Sequence, residues 1–319
     1  MRLEWVSGFR NNRAGSTVAA GRRVRFCGKP VSIAAWLAGL LVSGLAAPTA
    51  AAQAAAPLSC SLPGLAPDAK QKPDDAALLA AWNTQAERVH SVEASVALEA
   101  HSERERTKRP SPALVNFRAP GWLRVTGEVP FSGKRSFDLF SNGQDFWLIV
   151  PDGKSERLFT GPVDAPEVSK LPHENLRPRP LIDALHWQRG SLSSVQDPRG
   201  MGKETRTIRL DLPAEAPFPA RTAAVEFDLR AGVVNAVAYG DAQQRVVLHV
   251  DYDDWRQAEG SSCYPRHIAM NQPLEGQQID IRIALVRING RIPGGEFRMN
   301  APIGIAVTHL AGPEGAGHP

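Results

Sequence analysis

The spacing of hydrophobic positions changes period along the chain. Leu78, Leu79, Trp82, Ala86 and Val89 recur at helical spacing behind Asp74-Asp75, whose carboxylates can cap a helix. From Val92 the period becomes two: Val92, Ala94, Val96, Leu98 and Ala100 alternate with polar residues, as on a half-buried strand. The charged stretch 103–109 reads as a solvated turn that ends it. Residues 117–161 then hold closely spaced strands. Segments 136–140 and 145–150 are rich in strand-forming residues, and Asn142-Gly143 supplies the positive φ of a tight hairpin loop.

Further on, 181–187 predicts a short helix preceded by Pro178 and Pro180. Strand patterns resume at 205–212, 223–228, 233–239, 246–252, 264–270 and 279–288, with Arg230-Ala231-Gly232 as a hairpin turn. Roughly ten strands in succession, one helix in front and one in the middle, predict a mainly β, up-and-down antiparallel sheet curling towards a barrel.

The N-terminus changes how charge is read. Arg22, Arg23, Arg25 and Lys29 precede an apolar stretch, 33–47, that is too short and too Gly-broken for a span of about 20 residues. With the small-residue tail that follows, 1–59 reads as an export signal; a retained anchor is the alternative. Residues 1–21 are long for a leader, as a start codon placed too far upstream would make them. The whole chain carries a formal +4, but residues 60–319 hold 30 basic and 32 acidic side chains. The basic character therefore belongs to the leader and gives no support to nucleic-acid binding.

Of three cysteines, Cys27 falls in the leader. Cys60 and Cys263 are two thiols in an oxidising compartment, and a disulfide is the favoured reading. The alternative is Cys60 as a lipidated first residue. Pro57-Leu58-Ser59 departs from the usual cleavage box, whereas Pro63, Gly64 and Pro67 suit a flexible tether. The organisation expected is thus a tether over 60–73, one domain over 74–310 and a disordered tail over 311–319.

Catalytic constellations are missing from residues 60–319: there is no G-x-S-x-G, H-E-x-x-H, P-loop or dinucleotide fingerprint. Cys263 and His267, four apart on a strand, stand about 13 Å from each other and form no nucleophile pair. Asp251, Asp253 and Asp254 read as a solvated strand end, since calcium needs about six oxygens. No enzyme, cofactor or metal is expected.

Two groups of segments carry a resemblance. The first is FRAPGWLRV at 117–125 and FDLFSNGQDFWLIVP at 137–151; the second is DYDDW at 251–255, CYPRHI at 263–268, 281–289, Glu296-Phe297 and Ala301-Pro302. Together they resemble the outer-membrane lipoprotein carrier superfamily (LolA/LolB-like), in particular its divergent LolA-like branch, over residues 74–310. The resemblance implies a strongly curved, half-open antiparallel barrel whose open side helices cover. It also implies an apolar cavity for acyl chains of lipoproteins or other envelope lipids, and partners among lipoprotein-sorting components. Location would be periplasmic, or tethered to the outer membrane if Cys60 is lipidated. Acyl chains cost about 0.8 kcal/mol per CH₂ in water, so such a carrier needs a dry interior and no catalytic group.

One-face alternation places Phe117, Leu123, Val125, Phe137, Leu139, Phe146 and Leu148 at that cavity, with Trp82 on the covering helix; plain core is the competing reading for each. The helices around Trp82 and 181–187 would act as lids. Arg124 either pairs with a lid carboxylate or faces solvent, solvent being the simpler reading. Segments 201–206 and 212–221 read as loop extensions that leave the cargo open. The alternative function is a non-catalytic envelope-assembly module whose interior is filled by its own side chains.

Overall fold

The computed structural model describes residues 60–66, 72–102, 110–129, 132, 134–153, 155–165, 172–193, 204–214, 221–259, 262–299 and 303–311. The export signal, the charged turn 103–109, most of the two loop extensions and all but the first residue of the expected tail lie outside them. Helix α1 (Asp75–Arg88) leads into β1 (Ser91–Ser102), β2 (Ser111–Arg118), β3 (Trp122–Glu128), β4 (Arg135–Asn142), β5 (Asp145–Asp152) and β6 (Ser155–Pro162). Helix α2 (Pro178–Leu185) follows, then β7 (Ser191–Leu192), β8 (Thr205–Leu212), β9 (Arg221–Asp228) and β10 (Val233–Gly240). The chain closes with β11 (Val246–Gln257), β12 (Cys263–Gln272), β13 (Gln277–Ile288) and β14 (Ala306–His309).

All fourteen strands join one open sheet in the order β14-β6-β5-β4-β3-β2-β1-β13-β12-β11-β10-β9-β8-β7. The expectation of roughly ten strands is corrected to fourteen among the described residues. The edge strands β7 and β14 have two and four residues, too few to show a period, and Pro112 interrupts the composition of β2. Neighbours are antiparallel except β14, which runs parallel to β6. The sheet curls. Strand β12 lies five positions from β4, about 24 Å across a flat sheet at roughly 4.8 Å per strand. A helix is only about 10–12 Å wide, yet α2 touches both strands, so the sheet bends around it.

Local chemistry explains the joints. The Asp74 carboxylate accepts the Ala77 N–H at 2.8 Å and caps α1. Between β4 and β5 the loop is Gly143-Gln144, with Gly143 at φ 96°. Asn142 therefore ends the strand instead of forming half of the loop, and its carboxamide oxygen accepts the N–H groups of Gln144 and Asp145. The β9–β10 turn ends on Gly232 at φ 69°, with Asp228 accepting from Arg230 and Ala231.

Two expectations fail for reasons of packing. The described part of the 60–73 tether is pinned: Leu62 and Leu65 are buried in the main core, and Leu62 N–H donates to Gly232 O at 2.8 Å. Strand β4 does not alternate either, because its outer face is covered too. The 3₁₀ turn Gly294–Phe297 packs there, and Phe140, Ile292 and Phe297 form a second small core with Trp122 and Trp147.

Candidate functional site: the concave face and its helical plug

Cross-strand register brings the sequence-predicted cavity residues onto one face. Phe117 pairs with Leu123, Leu123 with Ser141, and Ser141 with Phe146. One step along, Val125 pairs with Leu139 and Leu139 with Leu148, while Phe137 lies opposite Gly127. A Cβ on Gly127 would stand 2.3 Å from the Phe137 ring, so glycine makes room for that aromatic. All seven strand residues and Trp82 are buried at 3 % exposure or less within one core cluster. Helix α2 contacts β4 and β12, and its Leu181, Ile182, Ala184 and Leu185 belong to the same core cluster.

Arg124 points the other way. Its Nε and Nη2 both donate to Asp138 on the neighbouring strand at 3.1 Å, and Nη1 donates to Glu296 O. The expectations of a lid partner and of free solvent exposure are both corrected: a same-sheet carboxylate two-pronged on the guanidinium satisfies it.

The opposite wall holds α2 by directional bonds. The last carbonyls of a helix lack intrahelical donors. Here Tyr239 donates to Asp183 O at 3.0 Å, Tyr252 to Ala184 O at 3.1 Å and Tyr264 to Leu185 O at 3.0 Å. These are the chain's three tyrosines, one on each of the adjacent strands β10, β11 and β12. Burial raises all three phenols well above their ordinary range, which keeps them neutral donors.

A buried ion cluster adds to this. Arg221, on β9, donates through Nη1 and Nη2 to the Asp183 carboxylate, and Arg179 Nε donates to it at 3.0 Å. The Arg221 guanidinium lies 4.2 Å from the centre of the Tyr239 ring. Burial pushes the Asp183 carboxyl up, but Arg179 and Arg221 outweigh it and hold the group below the usual carboxylate range.

The chain leaves α2 through His186 and Trp187. Trp187 stacks on Trp82 of α1 at 4.5 Å and donates to the Tyr252 hydroxyl at 3.0 Å, while Trp82 Nε1 donates to Gln188 O at 2.9 Å. The His186 ring lies 5.3 Å from Phe117 and hydrogen-bonds to the backbone of Val89, with Nδ1 buried and unpartnered. Burial lowers its pKa to about 4, so it is neutral at pH 7.

Two spaces lie close to the plug or to the residues that hold it. One, bounded by Ala184, Trp187, Tyr252, Trp255 and Tyr264, holds about 10 Å³, no more than roughly one water. The other is a cleft of about 620 Å³ at the rim, lined by Arg189, Ser191, Asp211, Arg221, Thr222 and Asp241. The disulfide joins Cys60 to Cys263 at the start of β12, and Gln85 of α1 donates to Cys263 O at 3.1 Å. The same sulfur cannot also carry a thioether-linked lipid.

Sequence reasoning placed the helix near 181–187 but missed Asp183, Arg221 and the tyrosines as its anchors. The signal was parity: Tyr239 and Tyr252 each stand two residues after an inward valine, Val237 and Val250. A buried phenol needs a partner for its hydroxyl.

The architecture is thus an open curved antiparallel sheet with a helical plug. Solved structures match it at low sequence identity. One is a LolA superfamily protein from Nitrosomonas europaea, 12 % identical, with a TM-score of 0.45 over 69 % of this chain and 97 % of that one. Another is a DUF1329 family protein from Desulfovibrio piger, also 12 % identical, with a TM-score of 0.45 over 69 % and 94 %. No family model matches the chain and no curated protein matches it in sequence.

Proposed function

We propose that this is an exported envelope carrier that holds acyl chains of lipoproteins or other lipids on the concave face, in the volume α2 now fills. The observation that carries the reading is the cover itself. The apolar face is closed by an eight-residue helix instead of a second sheet, and a short helix on flanking loops can move aside far more cheaply than a sheet can separate. Binding is passive: cargo exchanges apolar contact with water for contact with Phe117, Phe137, Leu139, Phe146 and Leu148, and release follows return of the plug.

The second reading is the envelope-assembly module with a filled interior, and the near-absence of free volume beside Trp187 favours it. Native mass spectrometry of protein purified from the envelope separates the two. The carrier predicts an adduct of lipid mass, lost in a folded Leu148→Glu or Phe137→Glu variant that is still secreted. Wild-type protein without any adduct moves the assignment to the filled module. Retention of the adduct by a folded Leu148→Glu protein sinks the site. The denatured, non-reduced mass reports in the same run whether Cys60 is bridged or acylated.

A further inference from the structure

The composition of the plug identifies what it stands in for. Among the buried residues of α2, Leu181, Ile182, Ala184 and Leu185 form an apolar body, and Asp183 is the one formal charge. Arg179, one turn earlier on the same helix and less buried, pairs with that carboxylate at 3.0 Å, so what α2 presents to the wall is an apolar body and one carboxylate shared between its own Arg179 and Arg221. We infer that α2 is a built-in ligand mimic, and that the cargo it gives way to is an anionic amphiphile whose carboxylate or phosphate replaces Asp183 on Arg221. The inference rests on the carrier reading and names its substrate class.

What remains when α2 leaves sets the charge the cargo must carry. Arg221 belongs to the wall, not to the plug. Its side chain is 8 % exposed, its Nε is buried without a partner, and its guanidinium lies on the Tyr239 ring. Withdrawing Asp183 strands this cation in a low-dielectric site, and a buried charge deprived of its partner is strongly unfavourable. A neutral cargo leaves that charge uncompensated. An anionic head cancels it, and the planar fork of arginine suits carboxylate and phosphate oxygens alike.

The route to Arg221 is present as well. The rim cleft reaches Arg221; Ser191 and Thr222 line it as further donors, and Arg189, also on it, is paired with Glu87 at 2.7 Å. Of its two acids, Asp241 is already paired with Arg245 at 2.8 Å. An incoming head would therefore pass the Ser191 and Thr222 hydroxyls, and the Asp211 carboxylate, before meeting the unpaired charge of Arg221, with its chain directed at the apolar face beneath α2.

Three amphiphiles with the same twelve-carbon chain test this on the full chain as purified after export and stripped of lipid: laurate, dodecyl phosphate and monolaurin. Competition against a fluorescent fatty-acid probe gives each affinity. Expected is tighter binding of the anionic pair than of monolaurin by about tenfold or more. In Asp183→Asn, which removes the competing internal anion but keeps its shape, anionic binding should tighten several-fold further. In a folded Asp183→Asn/Arg221→Gln double variant the three should bind alike. Laurate favoured over dodecyl phosphate would assign the head as a carboxylate, and the reverse order as a phosphate. Equal binding of all three by wild type overturns the inference and leaves the carrier reading standing, with the ion cluster then a device that only seats α2. Binding of none, by wild type and by Asp183→Asn, overturns both.

Discussion

The two walls facing α2 are built from different chemistry. On the β2–β5 wall, Phe117, Leu123, Leu139, Phe146 and Leu148 have no hydrogen-bond donor or acceptor to offer, so apart from the Arg177 guanidinium of the α2 N-cap, 5.0 Å from the Phe146 ring, their packing is non-directional. On the β9–β12 wall, Arg221 and three tyrosines each seize a particular atom of α2. Non-directional contact tolerates sliding and substitution of one apolar partner for another. Directional bonds fix one position and are lost together when the helix shifts. The first wall therefore suits cargo, and the second suits a latch. A single core filled uniformly by aliphatic side chains would have no such division.

The largest effects come from removing one key group on each wall, and the comparison predicts where the loss is felt. Asp183→Ala leaves Arg221 and Arg179 facing a vacated site, at a cost of about 3–5 kcal/mol. Phe146→Ala deletes a fully buried ring, also at about 3–5 kcal/mol. Equal totals should have different distributions. Hydrogen exchange should show Asp183→Ala releasing the amides of α2 and 186–190 while β2–β5 stay protected. Phe146→Ala should lower protection across β3–β6 as well. If the two variants give the same exchange map, the division between latch wall and cargo wall is wrong.

How much of this was legible in the sequence follows the same line. The cargo wall could be read because period-two apolar residues and the Asn142-Gly143 turn are local signals, and register then gathered Phe117, Leu123, Leu139 and Leu148 on one face. The latch could not be read. Asp183 and Arg221 are 38 residues apart, and Tyr264 reaches a carbonyl 79 residues away. Nothing local marks such pairs. Arg124 was misread because its partner, Asp138, lies across a strand pair. The tether was misread because Pro63 and Gly64 suggest flexibility, whereas Leu62 and Leu65 supply the anchorage. Edge strands of two and four residues leave no periodic trace at all.

Acidification sharpens the comparison with an effect of intermediate size. His186 lies on the cargo side, against Phe117, with His90 and Asp183 as the charged groups acting on it. Its folded pKa, about 4, is below the unfolded value near 6.5, so the unfolded chain binds the extra proton between these limits. Stability therefore falls as pH drops from about 6.5 to 4, by about 3 kcal/mol in total, and this group causes no further loss below that. Urea midpoints measured over that window should fall less steeply for His186→Gln than for wild type. A parallel pair of curves would show that His186 does not need to stay neutral in the closed form. The Asp183 carboxyl, held low by its arginines, adds a separate loss as pH falls through its own depressed range.

The smallest effects dissect the latch itself. Tyrosine to phenylalanine keeps each ring and removes only the hydroxyl, leaving one helix-end carbonyl unsatisfied at about 1–2 kcal/mol. The three sites should not be equal. Tyr252 donates to Ala184 O and accepts from Trp187 Nε1, so Tyr252→Phe orphans two groups and should cost most. Tyr239→Phe retains the ring beneath Arg221, and Tyr264→Phe touches neither the indole nor the ion cluster, so both should sit at the low end. Because all three hydroxyls are made and broken by one motion of α2, their effects on plug opening should combine additively when α2 amide exchange is the readout. Global stability should fall by the same sum, because these bonds stabilise only the closed form, while the α2 amides open at a lower free energy than the sheet. An opening free energy of the α2 amides equal to that of global unfolding, in wild type and in all three variants, would mean that α2 never leaves the folded sheet, and that the latch is part of a filled core.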